Sequence, residues 1–156
     1  MEGELLIAAR RMTHPDAAGL VREMTVEIAV LYDDDPDWSS RLGAEVFAPP
    51  GGQFVVGYLD GRPVACAAYR RIDDELAQAQ RVFVRPEARS VGIASRMMDH
   101  IEALATEAGY RTMRLETGVL QPAAITMYER LGYRQIKAFA PYEDDPLSRC
   151  YAKRIG

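Results

Sequence analysis

Between Gln53 and Val84 apolar residues recur at every second position in three runs, and between Ile93 and Ala108 they recur at every third and fourth. That change of period constrains the fold more than any other feature, because side chains alternate along a strand and repeat about every 3.6 residues along a helix. The first two runs, Q-F-V-V-G-Y-L and R-P-V-A-C-A-A-Y-R-R-I, meet at Asp60-Gly61, a pair that suits a two-residue hairpin turn. The third, L-A-Q-A-Q-R-V-F-V, follows Asp73-Asp74, so an antiparallel three-stranded meander is expected. A helix after the third strand, and the strand T-M-R-L-E-T after that helix, require a crossover and therefore a parallel pairing. All-helical and all-β folds are excluded.

The remaining segments extend this α+β pattern. L-L-I-A-A-R-R-M has strand character, and a helix is expected from Pro15 to Leu31, with Leu20, Met24, Ile28 and Leu31 on one stripe. D-D-D-P-D-W-S-S interrupts it, and a weak helical segment spans Leu42 to Phe47. Gly109 stands where a helix-ending glycine belongs, A-A-I-T-M-Y-E-R-L-G reads as a helix closed by Gly132, and Y-R-Q-I and S-R-C-Y-A-K-R-I read as strands. The expectation is one domain over residues 1–156, with a mixed central sheet of about six to seven strands flanked by helices.

Charge and composition remove several functions. A formal net charge of -4 lacks the basic excess that follows a nucleic-acid backbone, so no nucleic-acid partner is expected. No stretch approaches the roughly 20 apolar residues that span a bilayer, and M-E-G-E-L-L-I-A-A-R-R-M lacks the features of a leader, so no membrane partner and a cytoplasmic location are expected. Cys66 and Cys150 read as reduced core thiols. With His14 and His100 far apart and no ligand spacing around them, no metal is expected.

One segment carries chemistry. In V-R-P-E-A-R-S-V-G-I-A-S-R-M-M, residues 84 to 98, a strand stops at a proline and a helix starts at a glycine. The first N–H groups of a helix lack internal partners and carry the positive end of its dipole, which suits a phosphate. Glycine lets a ligand approach the backbone closely, Ala94 keeps the next position small, and Arg89, Arg96 and the Ser90 hydroxyl add charge and a donor. The segment is neither a Walker loop nor a dinucleotide fingerprint, and a small residue chosen for packing would also account for the glycine.

Arg89-Ser90-Val91-Gly92-Ile93-Ala94 resembles the Q/R-x-x-G-x-G/A signature of the GNAT superfamily of N-acetyltransferases, placed between a strand and a helix as in that family. L-E-T-G at 115–118 and A-I-T-M-Y-E-R-L-G-Y at 124–133 are similar to its later segments, so that the likeness covers about half the chain. The resemblance implies acetyl-CoA as cosubstrate, with its pyrophosphate in the cradle formed by Arg89, Ser90, Val91, Gly92, Ile93 and Ala94. It implies that the preceding strand splays from its neighbour and offers the backbone of Phe83 and Val84 to the pantetheine arm and acetyl carbonyl. Tyr128 would lie near the sulfur as the acid for the departing thiolate.

The family likeness has one departure. Many relatives place a glutamate where this chain has Gln78, and glutamine cannot take a proton. Glu116 and Glu75 are the carboxylates left to act as a base through water, and Glu116 also suits a structural ion pair. The expected reaction is acetyl transfer to the primary amine of a small molecule or amino acid, by direct attack through a tetrahedral intermediate. Alternatives are a protein or peptide amine as acceptor, and a non-catalytic acetyl-CoA sensor, which Gln78 would suit. Tyr32, Trp38, Phe47, Asp33, Asp34, Asp35 and Asp37, with Tyr142, Glu143, Asp144 and Asp145, are the candidate acceptor lining, an acidic and aromatic set that would attract an ammonium. Many enzymes of the superfamily pair through their sheets, so the resemblance allows a homodimer, with no dimer face marked in the residues.

Overall fold

Asp60 and Gly61 both take positive φ, 51° and 78°, and turn strand β2 (Gln53–Leu59) into β3 (Arg62–Arg71). A computed structural model describes residues 3–33 and 42–156. The other strands are β1 (Leu5–Ala9), β4 (Leu76–Val84), β5 (Thr112–Gly118), β6 (Arg134–Ile136) and β7 (Ser148–Arg154). Helices are α1 (Pro15–Tyr32), α2 (Ile93–Glu107) and α3 (Pro122–Arg130). The seven strands form one mixed sheet in the order β1-β2-β3-β4-β5-β7-β6, with the expected meander and the expected parallel junction between β4 and β5. The weak segment after α1 is a short 3-10 turn, Ala44–Phe47.

Alternation distributes the strand residues between two cores. Ala67, Ala77, Ala79, Met113 and Leu115 face Met97 and Ile101 of α2, while Phe54, Val56, Cys66 and Ala68 face Leu20 and Met24 of α1. Both cysteines are buried free thiols, as expected. Among the described residues no helix is long and apolar enough to cross a membrane.

Two irregularities of β4 create the site. Cys66 pairs with Phe83 but Ala68 pairs with Gln80, so Arg81 and Val82 together oppose the single residue Ala67. This is a β-bulge, with Arg81 at φ 59°. The extra residue reverses the alternation: Ala79 belongs to the α2 core, but Phe83 belongs to the α1 core. The second irregularity is a short pairing. β4 and β5 are bonded only at Leu76–Thr112, Ala77–Met113 and Gln78–Arg114. Beyond that point the strands separate, which is the splay the family resemblance implies.

Candidate active site

The separated strands open a cleft of about 1080 Å³. Its walls come from the second halves of β4 and β5, from α1, from the start of α2 and from α3. Strand backbone would normally be satisfied by a neighbouring strand, so the gap exposes polar groups that a ligand can use.

Hydrogen-bond alternation tells which groups these are. The Arg85 N–H donates to the Val64 carbonyl at 2.8 Å. In an antiparallel register that makes Phe83–Cys66 the next bonded pair and leaves Val84, opposite Ala65, with its N–H and carbonyl directed to the gap. Of the two expected backbone donors, Val84 therefore faces the cleft, whereas the Phe83 N–H is turned toward β3. The Val84 carbonyl accepts from Arg89 Nε at 2.8 Å.

The loop between β4 and α2 forms the second part. Ser90 and Gly92 take φ of 70° and 84°, and the first helical bond closes from the Arg96 N–H to the Gly92 carbonyl at 3.2 Å. The N–H groups of Ile93, Ala94 and Ser95 precede that bond and have no acceptor within the helix. A Cβ placed on Gly92 would meet nothing within 4 Å, so the cradle is open. Ser90, Gly92, Ile93 and Ala94 line the cleft, although the Ile93 side chain is buried in the α2 core. Val91 is exposed.

The three arginines of residues 84–98 behave differently. Arg89 donates to both carboxylate oxygens of Glu27 at 2.8 Å and lies over the Phe83 ring, so its charge is paired with α1. Arg85 is clamped by Glu23 one turn earlier, at 2.6 and 3.1 Å. Arg96 is exposed and makes no ion pair among the described residues.

Tyr128 and Glu116 both line the cleft. Tyr128 packs edge-on to Tyr133, and its hydroxyl has no hydrogen-bond partner among the described residues. Burial, with the nearby Glu116 charge added, holds the phenol well above its ordinary pKa. Glu116 accepts from Ser148 Oγ at 2.7 Å, and that hydroxyl also reaches Asp145 Oδ2 at 3.1 Å. Burial raises the Glu116 carboxyl above the ordinary glutamate range; the Ser148 bond opposes this and Asp145 adds to it. Glu75 is far from this constellation, exposed at the paired end of β4 and bridged to Arg111 at 3.2 Å. Gln78 is buried and accepts from Arg114 Nε at 2.8 Å.

Comparison with known proteins agrees with this architecture. The model of the acetyltransferase (GNAT) family matches residues 20–133. The chain belongs to the GNAT family. An IAA acetyltransferase of Azospirillum brasilense is 34% identical over 83% of this chain and 84% of its own. The structure of a putative acyl-CoA N-acyltransferase from Klebsiella pneumoniae superposes on the acetyltransferase with a TM-score of 0.82 and 27% identity, covering 97% and 98% of the two chains. An aminoglycoside 6'-N-acetyltransferase complexed with coenzyme A shares the fold at a TM-score of 0.73 and 15% identity, over 97% of each chain.

The rest of the cleft of the acetyltransferase contains residues that sequence reasoning only partly found. Tyr32, Tyr142 and Asp145 line the cleft, and Phe47 is buried beneath Arg81, while Glu143 and Asp144 are exposed and do not line it. Asp33 ends α1 at φ 52°. Asp34, Asp35, Asp37 and Trp38 lie outside the described residues. Ser148 and Glu27 carried no signal in the sequence, because each is identified only by a partner that the fold brings from a distant segment.

Proposed function

We propose that this acyltransferase moves an acetyl group from acetyl-CoA to the primary amine of a small molecule, by direct attack of the amine on the thioester. The observation that carries the reading is the gap between β4 and β5, which joins an open helix-start cradle, a free backbone edge at Val84, Tyr128 and Glu116 in one cleft. Acetyl-CoA supplies the activated acyl group. The N–H groups that precede the first bond of α2 would hold its phosphates, and the Val84 N–H would hold the oxygen that gains charge, a service whose loss typically costs about 3 kcal/mol.

Glu116 is the carboxylate in place to accept the amine proton, directly or through water, and its raised pKa makes it a stronger base than an exposed glutamate. Tyr128 would steady the departing thiolate. A phenol held above its ordinary pKa gives up its proton reluctantly, so a hydrogen bond to the thiolate is the larger part of this role.

Calorimetric binding of acetyl-CoA to wild type, Gly92→Glu and Gly92→Asn tests the cradle. Asparagine tolerates positive φ, so it separates backbone strain from filling of the cradle. Wild-type binding that survives in Gly92→Asn and disappears in Gly92→Glu is the expected result; equal binding by all three refutes the phosphate site. Tyr128→Phe should lower turnover by about 10²–10⁴ with acetyl-CoA affinity kept, and an unchanged rate removes the hydroxyl from the mechanism.

A further inference from the structure

A row of guanidinium groups crosses the sheet face on the α1 side. Arg70 on β3 is opposite Gln78 on β4, and Gln78 is opposite Arg114 on β5. Arg114 Nε donates to Gln78 Oε1 at 2.8 Å and Arg70 Nε to Gln80 Oε1 at 2.6 Å. Among the described residues neither guanidinium forms an ion pair. Arg114 also lies 3.9 Å from the centre of the Phe139 ring.

The two glutamines give this arrangement its meaning. A glutamate at either position would accept the same hydrogen bond but cancel the charge. An amide fixes the guanidinium and leaves its positive charge available. Arg81, one residue beyond Gln80 in the bulge, adds a third cation beside them. Burial lowers all three arginines below their ordinary pKa, and the charge of Arg70 adds to the lowering of Arg81 and Arg114. Unlike exposed surface arginines, these are partly desolvated and repel one another, a state that a bound anion relieves.

Gln78, Gln80, Arg81, Glu116 and Tyr142 line the cleft, and Arg70 and Arg114, which do not, stand directly behind Gln80 and Gln78, so the cationic row backs the space where an acceptor would enter. Arg114 and Glu116 stand two residues apart on one face of β5, a separation of roughly 7 Å along the strand. The acceptor end is thus dipolar, with carboxylates at Glu116 and Asp145 and guanidinium groups beside them.

Resting on the acetyl-transfer reading, we infer that the acceptor is an amine that also carries a carboxylate, an amino acid in the broad sense, with its carboxylate at Arg114 and Arg70 and its amine at Glu116. A simple polyamine would meet net repulsion at one end of the cleft. Gln78 marks anion recognition, where a glutamate would have stood as a base.

The experiment compares acetylation of several amino acids with that of the amines left when their carboxylate is removed. The amino acids should be preferred in kcat/KM by tenfold or more. Arg114→Gln and Arg70→Gln should each raise KM for the amino acid about tenfold, with KM for acetyl-CoA and the rate on the matched amine unchanged. Arg114→Lys should recover part of the loss, and Gln78→Glu should reproduce the defect with both arginines in place. Equal or better use of the decarboxylated amines overturns the inference while acetyl transfer stands. If no amine is acetylated, the acetyl-transfer reading fails, and calorimetry with glutarate on the CoA-loaded protein decides the anion site. Binding that is weakened in Arg114→Gln supports the site, and no binding by folded wild type overturns it.

Discussion

Gly118→Ala is predicted to destabilise the protein through one side chain on another element. Gly118 ends β5 and is buried, and a Cβ there would overlap the hydroxyl of Tyr32, the last residue of α1. That hydroxyl accepts from the Leu120 N–H at 3.1 Å and donates to Gln121 Oε1 at 3.2 Å. The ring must swing away, and both bonds are lost. At about 0.5–1.5 kcal/mol each the loss is about 1–3 kcal/mol. Against it stands a gain of about 0.4–1 kcal/mol, because alanine restricts the unfolded chain. The net cost is about 1–2 kcal/mol, or a fall in Tm of about 2–8 °C for a chain of this size. Calorimetric melting of the single variant, of Tyr32→Ala and of the pair provides the assay. In the Tyr32→Ala background the same glycine change should be neutral or stabilising. An equal loss in both backgrounds would refute the steric argument. Tyr32 also lines the cleft, so the acceptor KM should change in Gly118→Ala while acetyl-CoA affinity holds.

Glu116→Gln should stabilise the protein at neutral pH. Burial raises the folded carboxyl above the ordinary value of 4.5, so the folded state holds the proton more tightly, and stability from this group is lost as pH rises through the raised value. The difference in Tm between variant and wild type should therefore be positive at pH 7 and vanish near pH 4, with activity reduced in the variant throughout; a constant difference would show that the carboxyl is not perturbed. Glu27→Gln should cost less than about 1 kcal/mol, because its bridge to Arg89 is exposed. Freed from Glu27, Arg89 should tighten acetyl-CoA binding, and an unchanged Kd in calorimetry would limit Arg89 to holding the loop.

The strands and helices were legible where local chemistry decides them. Asp60-Gly61 specifies a turn that few other pairs allow, and the helix-period stripe of α2 has nowhere to pack except the sheet. The site was legible only where a local motif exists. Gly92 announces itself by needing positive φ, but Arg81 takes the same region with no glycine to mark it, so the bulge was hidden. Glu75 and Glu116 are equivalent as letters. They differ because one lies at the paired end of β4 and the other beyond the splay, and only the register of three strands separates them. The same holds for Arg70 and Arg114, which come together with Gln78 from segments far apart in the chain. Tyr128 sits at core spacing with Ile125 and Leu131, and the spacing gives no sign of a hydroxyl that lines a cleft with no hydrogen-bond partner among the described residues.

The bulge in β4 divides one strand into two halves read in opposite phase. On the proposed reading Gln78 and Gln80 would address the acceptor before it, and Val84 would address the acyl donor after it. On that reading, substitutions in the first half would retune what is acetylated without touching how the acyl group is held, because Val84 keeps its place opposite Ala65 whichever residues fill the bulge. Point mutation could therefore diversify the acceptors of such a scaffold, while its donor edge, set by backbone pairing and not by side chains, stays the same.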